Sequence, residues 1–312
     1  TGITGQGGSY LAALLLKKGY NVHGLVRPDE GVGWRHTYLG IADAVILHEC
    51  ILTDAEAVTD VLIKIHPDEI YNLAAQSVVS QSIQNPEDTL NFNIHSVENL
   101  LASIVQIDNT IKFFHASSSE IFDPNAQQPL TITSPIRPTN PYGVSKAENH
   151  LLVQKYRNES NIFAVNGILF PHESPLRHQK SLIKTLITSA EAIKNGSDQK
   201  IHLGQANNQR DFGNAQEYVE AMWLSLQQED AHDYIISSGT PVSILDISEY
   251  ILKKFDLPLD IIKIDKALFR SPNTPIIYAE NNVTRNTLGW TCNIGIYETI
   301  DTMIDFKELR TR

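Results

Sequence analysis

Three glycines at an interval of three, Gly2, Gly5 and Gly8, open the chain. They are followed at once by Ser9-Tyr10-Leu11-Ala12-Ala13-Leu14-Leu15-Leu16-Lys17-Lys18-Gly19, whose apolar residues recur at helical spacing up to a glycine suited to a C-cap. A strand-like run, Asn21 to Arg27, comes next. A loop that opens a helix in this way suits a pyrophosphate, because glycine lets the backbone approach the anion closely and the unpaired N–H groups of a helix start stabilise its charge. A dinucleotide site is therefore expected at Gly2, Gly5 and Gly8. Such a loop ordinarily follows a short buried strand. With Thr1 already inside it, the first strand of the sheet is expected to be missing and the sequence reads as a fragment.

Strands and helices alternate through the first half. Candidate strands are Ala44 to His48, Glu69 to Leu73, Lys112 to Ala116 and Ile162 to Phe170, and candidate helices are Asp54 to Lys64, His95 to Ile107 and Tyr142 to Asn158. That order predicts an α/β fold with a doubly wound parallel (Rossmann) sheet. Ligands then bind at the carboxyl ends of the strands, where Ala74, Ala75, Gln76 and the stretch Ser117 to Glu120 fall, and the proline-rich segment Pro124 to Pro141 is expected to loop over the site. After Phe170 the pattern is less regular. Residues 1–170, with a return segment at about 204–230, are assigned to the dinucleotide domain, and 171–203 with 231–312 to a smaller, mixed substrate lobe.

Composition narrows the function classes. A 312-residue chain with 42% hydrophobic content can bury a large core, and a net charge of 25 − 36 = −11 disfavours a nucleic-acid surface. Cys50 and Cys292 are far apart and outside any CxxC pattern, as expected of reduced thiols in a cytoplasmic protein. No apolar run approaches eighteen residues, and no basic-then-apolar leader is evident. His172-Glu173 does not extend to a zinc motif, because Leu176 stands where the second histidine would be. No metal is expected.

The chemistry is carried by Tyr142 and Lys146, at i and i+4 of a helix, and by Ser118 and Glu120 upstream in Ala116-Ser117-Ser118-Ser119-Glu120. A lysine on the same helix face is expected to lower the phenol pKa so that Tyr142 can take a hydroxyl proton, with Ser118 orienting that hydroxyl. A simple dehydrogenase has no need of Glu120. A second carboxylate base suggests oxidation followed by elimination.

Gly2-Ile3-Thr4-Gly5-Gln6, Glu69-Ile70-Tyr71-Asn72-Leu73-Ala74-Ala75-Gln76-Ser77, Asn166-Gly167-Ile168-Leu169-Phe170 with His172-Glu173-Ser174-Pro175, Arg210-Asp211-Phe212-Gly213 and Tyr218 to Trp223 together resemble the GDP-mannose 4,6-dehydratases, extended short-chain dehydrogenase/reductases. The resemblance implies a bound NADP, a GDP-sugar substrate, a 4-keto-6-deoxy product and a homo-oligomer, dimer or tetramer. It implies catalytic roles for Ser118, where the family usually has Thr, and for Glu120, Tyr142 and Lys146. It adds Gln6, Leu73, Ala74, Ala75 and His172 to the dinucleotide site, with Arg27 on the 2'-phosphate, and implies substrate contacts from Gln76, Asn166, Glu173, Lys184, Arg210 and Arg270. Against the family pattern, Gly7 replaces Asp, Pro28 the second of two arginines, Ile51 an Asp that faces the adenine, Pro171 an Asn, Lys184-Thr185 an Arg-Lys pair and Asn273 a Glu. Asp29 to Gly33 stand where family members carry a basic, serine-rich loop that reaches a neighbouring subunit. Two alternatives remain at this stage: a reductase or epimerase acting on a 4-keto nucleotide sugar, which would need no Glu120, and a non-catalytic nucleotide-binding homologue.

Overall fold

Near-continuous apolar runs become buried parallel strands, and the amphipathic segments between them become the helices that cover both faces. The structure, a computed structural model, describes residues 1–269 and 274–306. In chain order the first half holds α1 (Gln6–Lys17), β1 (His23–Val26), α2 (Trp34–Tyr38), β2 (Ile46–Glu49), α3 (Ala55–Ile65), β3 (Glu69–Asn72), α4 (Val79–Gln84), α5 (Pro86–Ile107), β4 (Lys112–Ser118), α6 (Pro141–Ser160) and β5 (Ala164–Leu169). The second half holds β6 (His172–Glu173), α7 (Leu182–Lys194), β7 (Ile201–Leu203), β8 (Gln209–Asp211), β9 (Gly213–Asn214), α8 (Ala215–Leu226), β10 (Asp233–Ile236), β11 (Pro241–Ser243), α9 (Ile244–Lys254), β12 (Ile262–Ile264), β13 (Ile276–Ile277), α10 (Asn282–Leu288) and α11 (Ile296–Asp305).

The main sheet is parallel, in the order β10-β5-β4-β3. Alternation along β4 sends Phe114 to the face packed by α1 and α8, with Tyr10, Leu11 and Met222, and sends Phe113 to the face packed by α3, α5 and α6, with Leu100, Leu101, Ile104 and Val153. Both rings are fully buried, and each contributes on the order of 2–3 kcal/mol of hydrophobic stabilisation. Strands β1 and β2 pair only with each other among the described residues, and a cavity of about 250 Å³ lined by Leu25, Ile70, Tyr71 and Leu73 lies beside them. A third core of α7, α9 and α11, around Ile187, Ile247, Ile251 and Ile300, underlies the short strands β7, β11 and β12. No described helix is long and apolar enough to cross a membrane.

Two expectations change. Helix α5 begins at Pro86 rather than His95, because proline at the first helical position with Glu87 and Asp88 in the first turn is itself a start signal. The segment after residue 230 does not all go to the second lobe. Strand β10 pairs with β5 in the main sheet, and of the return segment it is α8 that packs there, while β8 pairs with β11 and β13.

One row of the main sheet is polar. Asn72, His115, Asn166 and Asp233 are register neighbours across β3, β4, β5 and β10. Helix α6 is bonded to this row through His150 and Arg157, both on Asp233 at 3.4 and 2.9 Å, and the His150 ring also meets Ser117 Oγ at 3.3 Å. Buried polar groups are stable only when paired, so the row fixes how α6 sits on the sheet.

Candidate active site

The glycine loop is built for close approach. Gly5 caps α1, its N–H donating to the Gly2 carbonyl at 3.1 Å. Gly2 has φ +66° and backs onto Ala74, while a Cβ on Gly8 would collide with the Gly2 carbonyl and Ile3 Cα. The loop forms one wall of a cleft of about 1170 Å³ that also takes in Leu73 to Ser77, Ala116 to Glu120, Tyr142, Lys146, His172 and Arg177. Its volume, the first-turn amides of α1 and the glycine cradle fit a dinucleotide.

The candidate reactive groups sit at the end of β4, on the turn that follows it and on α6. Ser118 ends β4 and caps the short turn Ser119–Ile121, its hydroxyl accepting from the Glu120 N–H at 3.2 Å. Asn140 then does two things with one amide: Oδ1 accepts from the Gly143 N–H at 2.9 Å, capping α6, and Nδ2 donates to Glu120 Oε2 at 2.8 Å. Glu120 and the helix start bearing Tyr142 are therefore tied together. Lys146, 3% exposed, donates to the Ala116 carbonyl at 2.6 Å, with Nζ 5.9 Å from the Tyr142 ring centre. Desolvation lowers its pKa to about 8.

The phenol differs from expectation. Burial pushes Tyr142 up to about 12, with the Glu120 carboxylate adding to the rise and Ser118 and Arg177 opposing it. The Lys146 ammonium beside it is hydrogen-bonded to the Ala116 carbonyl. His172 is lowered to about 4 by burial and by the Arg177 guanidinium, so it is neutral, and its Nδ1 lies 2.9 Å from the Phe170 carbonyl.

Of the residues proposed for the dinucleotide, Gly2, Gly5, Gln6, Gly8, Arg27, Leu73, Ala74, Ala75 and His172 all line the cleft. Gln6 has structural work as well, its side chain bonding the His172 carbonyl and Ser174 Oγ. Arg27 is paired with Glu30 at 3.0 Å. Of the substrate group, Gln76 lines the cleft and closes a turn on Val78. Asn166 requires correction: it lies fully buried within β5, its amide donating to Asp233 and to the His150 carbonyl. Glu173, Lys184 and Arg210 do not line the cleft either. Glu173 is buried against Arg177 at 3.3 Å, Lys184 lies over the Phe306 ring, and Arg210 bonds the carbonyls of Gln209 and Thr274. Arg270 and Asn273 fall outside the described residues.

Two residues with a place in this site escaped the sequence reading. Asn140 precedes Pro141 and Tyr142, an N-cap pattern that was there to be read. Arg177, the cation facing Tyr142 and His172, comes from an irregular segment with no periodicity to mark it.

Residues 1–303 match the GDP-mannose 4,6 dehydratase family. The chain belongs to that family. It is 36% identical over 320 residues to GDP-mannose 4,6 dehydratase 2 of Arabidopsis thaliana, covering 98% of this chain and 85% of that one. It is 37% identical over 264 residues to the human GDP-mannose 4,6 dehydratase, covering 82% and 70%. Solved structures share the fold at lower identity. UDP-glucose 4-epimerase of Thermotoga maritima with UDP-glucose superimposes with a TM-score of 0.86 at 17% identity, covering 97% of this chain and 95% of that one. The dTDP-glucose 4,6-dehydratase of Bacillus anthracis in complex with NAD gives 0.84 at 16% identity, covering 97% and 94%.

Proposed function

We propose that this family member is a hydro-lyase that dehydrates GDP-mannose to the GDP-4-keto-6-deoxy sugar. The carrying observation is the Glu120 carboxylate, held by Asn140 on the same cleft wall as Ser118, Tyr142 and Lys146. Tyr142 takes the proton of the C4 hydroxyl that Ser118 orients. Burial holds the phenol at about 12, and the Lys146 ammonium, with a pKa of about 8, together with the positive charge of a bound nicotinamide would lower it toward neutral pH. Held by the loop of Gly2, Gly5 and Gly8, a nicotinamide dinucleotide would supply a hydride acceptor at C4 and donor at C6, so the reaction would consume no external oxidant. The C4 carbonyl acidifies C5. Glu120 takes the C5 proton and passes it to the departing C6 hydroxyl, which leaves as water. A proton equivalent to the one taken at O4 is returned to C5, completing the balance.

The test is Glu120→Gln. With bound dinucleotide and added GDP-mannose, the variant should show the absorbance of reduced nicotinamide while mass spectrometry finds no dehydrated sugar. Normal dehydration by the variant would remove Glu120 from the elimination. A wild-type chain that reduces a 4-keto nucleotide sugar with external reduced cofactor, and never dehydrates GDP-mannose, would replace the reading with a reductase.

A further inference from the structure

The end of the cleft at the carboxyl terminus of β1 carries one cation and one anion. The cation, Arg27, is 79% exposed and lies against Glu30, Nε to Oε2 at 3.0 Å. The anion is held more firmly. Its other oxygen, Oε1, accepts from the Thr4 hydroxyl at 2.8 Å, and Thr4 belongs to the glycine loop itself. Glu30 is therefore pinned to the phosphate-binding loop whether or not Arg27 stays in place, and both line the cleft. Partial burial opposes its ionisation, but the Thr4 and Arg27 hydrogen bonds prevail and hold the carboxyl below its usual range.

This position decides between the two nicotinamide dinucleotides. At the end of this strand an acidic side chain accepts from the free hydroxyls of the adenosine ribose, whereas arginine accommodates a 2'-phosphate. Here the residue after Arg27 is Pro28, which offers no second cation, and the arginine present is already neutralised. A dianionic 2'-phosphate brought to Arg27 would lie beside an anchored carboxylate, and like charges in a cleft repel more strongly than in open water. A ribose diol meets that carboxylate as a donor. We propose that Glu30 makes the cleft select NAD over NADP, the reverse of what Arg27 and the family resemblance imply on their own. The inference rests on the reading of the cleft as a nicotinamide-dinucleotide site and deepens it.

Equilibrium binding of NAD and NADP to the chain, followed by calorimetry at fixed ionic strength, tests it without any turnover. NAD should bind at least about tenfold more tightly, the factor that corresponds to ~1.4 kcal/mol. Glu30→Gln keeps the side-chain length and removes the charge, and should close most of the gap, chiefly by tightening NADP. NADP binding as tightly as NAD to the wild-type chain, or an unchanged ratio in Glu30→Gln, would overturn the selectivity while leaving the dinucleotide site standing. Binding of neither would overturn the site and the selectivity together.

Discussion

Asn140 joins helix stability to the placement of a base through two atoms of one amide, and the two roles can be separated by substitution. Asn140→Ala removes both. Losing the cap on α6 costs ~1 kcal/mol, and for a chain of this size that lowers Tm by about 2 °C. Losing the Nδ2 donor frees Glu120 from its 2.8 Å tether, and a base misplaced by about an ångström costs up to ~100-fold in the step it serves. Asn140→Asp keeps a good cap, so Tm should stay near wild type, but it sets a second carboxylate against Glu120 Oε2, where the two must share a proton. Both variants should therefore lose water from GDP-mannose about 10- to 100-fold more slowly, with the initial reduction of nicotinamide close to the wild-type rate. Only the alanine variant should melt earlier. The assays are scanning calorimetry, stopped-flow absorbance of the reduced nicotinamide and mass spectrometry of the sugar. Wild-type dehydration by Asn140→Asp would refute the idea that this amide holds the base.

Tyr142→Phe should abolish turnover while leaving nucleotide-sugar affinity within about twofold, since only the proton acceptor is removed; turnover retained in that variant would sink the role. Asp233→Asn should cost ~3 kcal/mol at neutral pH, read from denaturant midpoints, because it leaves Arg157 and His150 facing a neutral amide. Burial opposes ionisation of Asp233, yet His150 and Arg157 hold its carboxyl well below the usual range. A depressed folded pKa gives stability that is present above the unfolded value of ~3.9 and lost as pH falls through the folded one, so the difference between variant and wild type should shrink in acid. A difference that is the same at neutral pH and in strong acid would argue against the ion pair.

Much of the dinucleotide half was legible because its signals are local. The glycine loop and α1 are contiguous, buried strands such as β4 and β5 read as apolar runs, and Tyr142 and Lys146 share a helix face by spacing alone. What escaped depends on register or on distance. Asn72, His115, Asn166 and Asp233 spread over half the chain and become one row only when four strands are aligned. Asn166, which the family resemblance implied as a substrate contact, belongs to that interior row. Strand β10 sits far downstream of its partner β5, so its sequence position pointed to the wrong lobe. Lys184 and Arg210 were implied by the resemblance, and the direction of a charged side chain cannot be read from sequence: one lies over an aromatic ring, the other on backbone carbonyls.

The outermost strand of the main sheet has a consequence for how this chain is made. Until residue 236 has left the ribosome, β5 is an open edge, and Arg157 and His150 wait without the carboxylate that pairs them. A product ending near residue 170, where the sequence changes character, would carry the whole candidate quartet and still expose a strand edge and two polar side chains on α6 that lack their carboxylate. Such a half is a substrate for chaperones and for aggregation rather than an autonomous unit. Division of the gene at that point, in the laboratory or by recombination, is expected to yield insoluble pieces, and a cut placed after β10 is the one that respects the sheet.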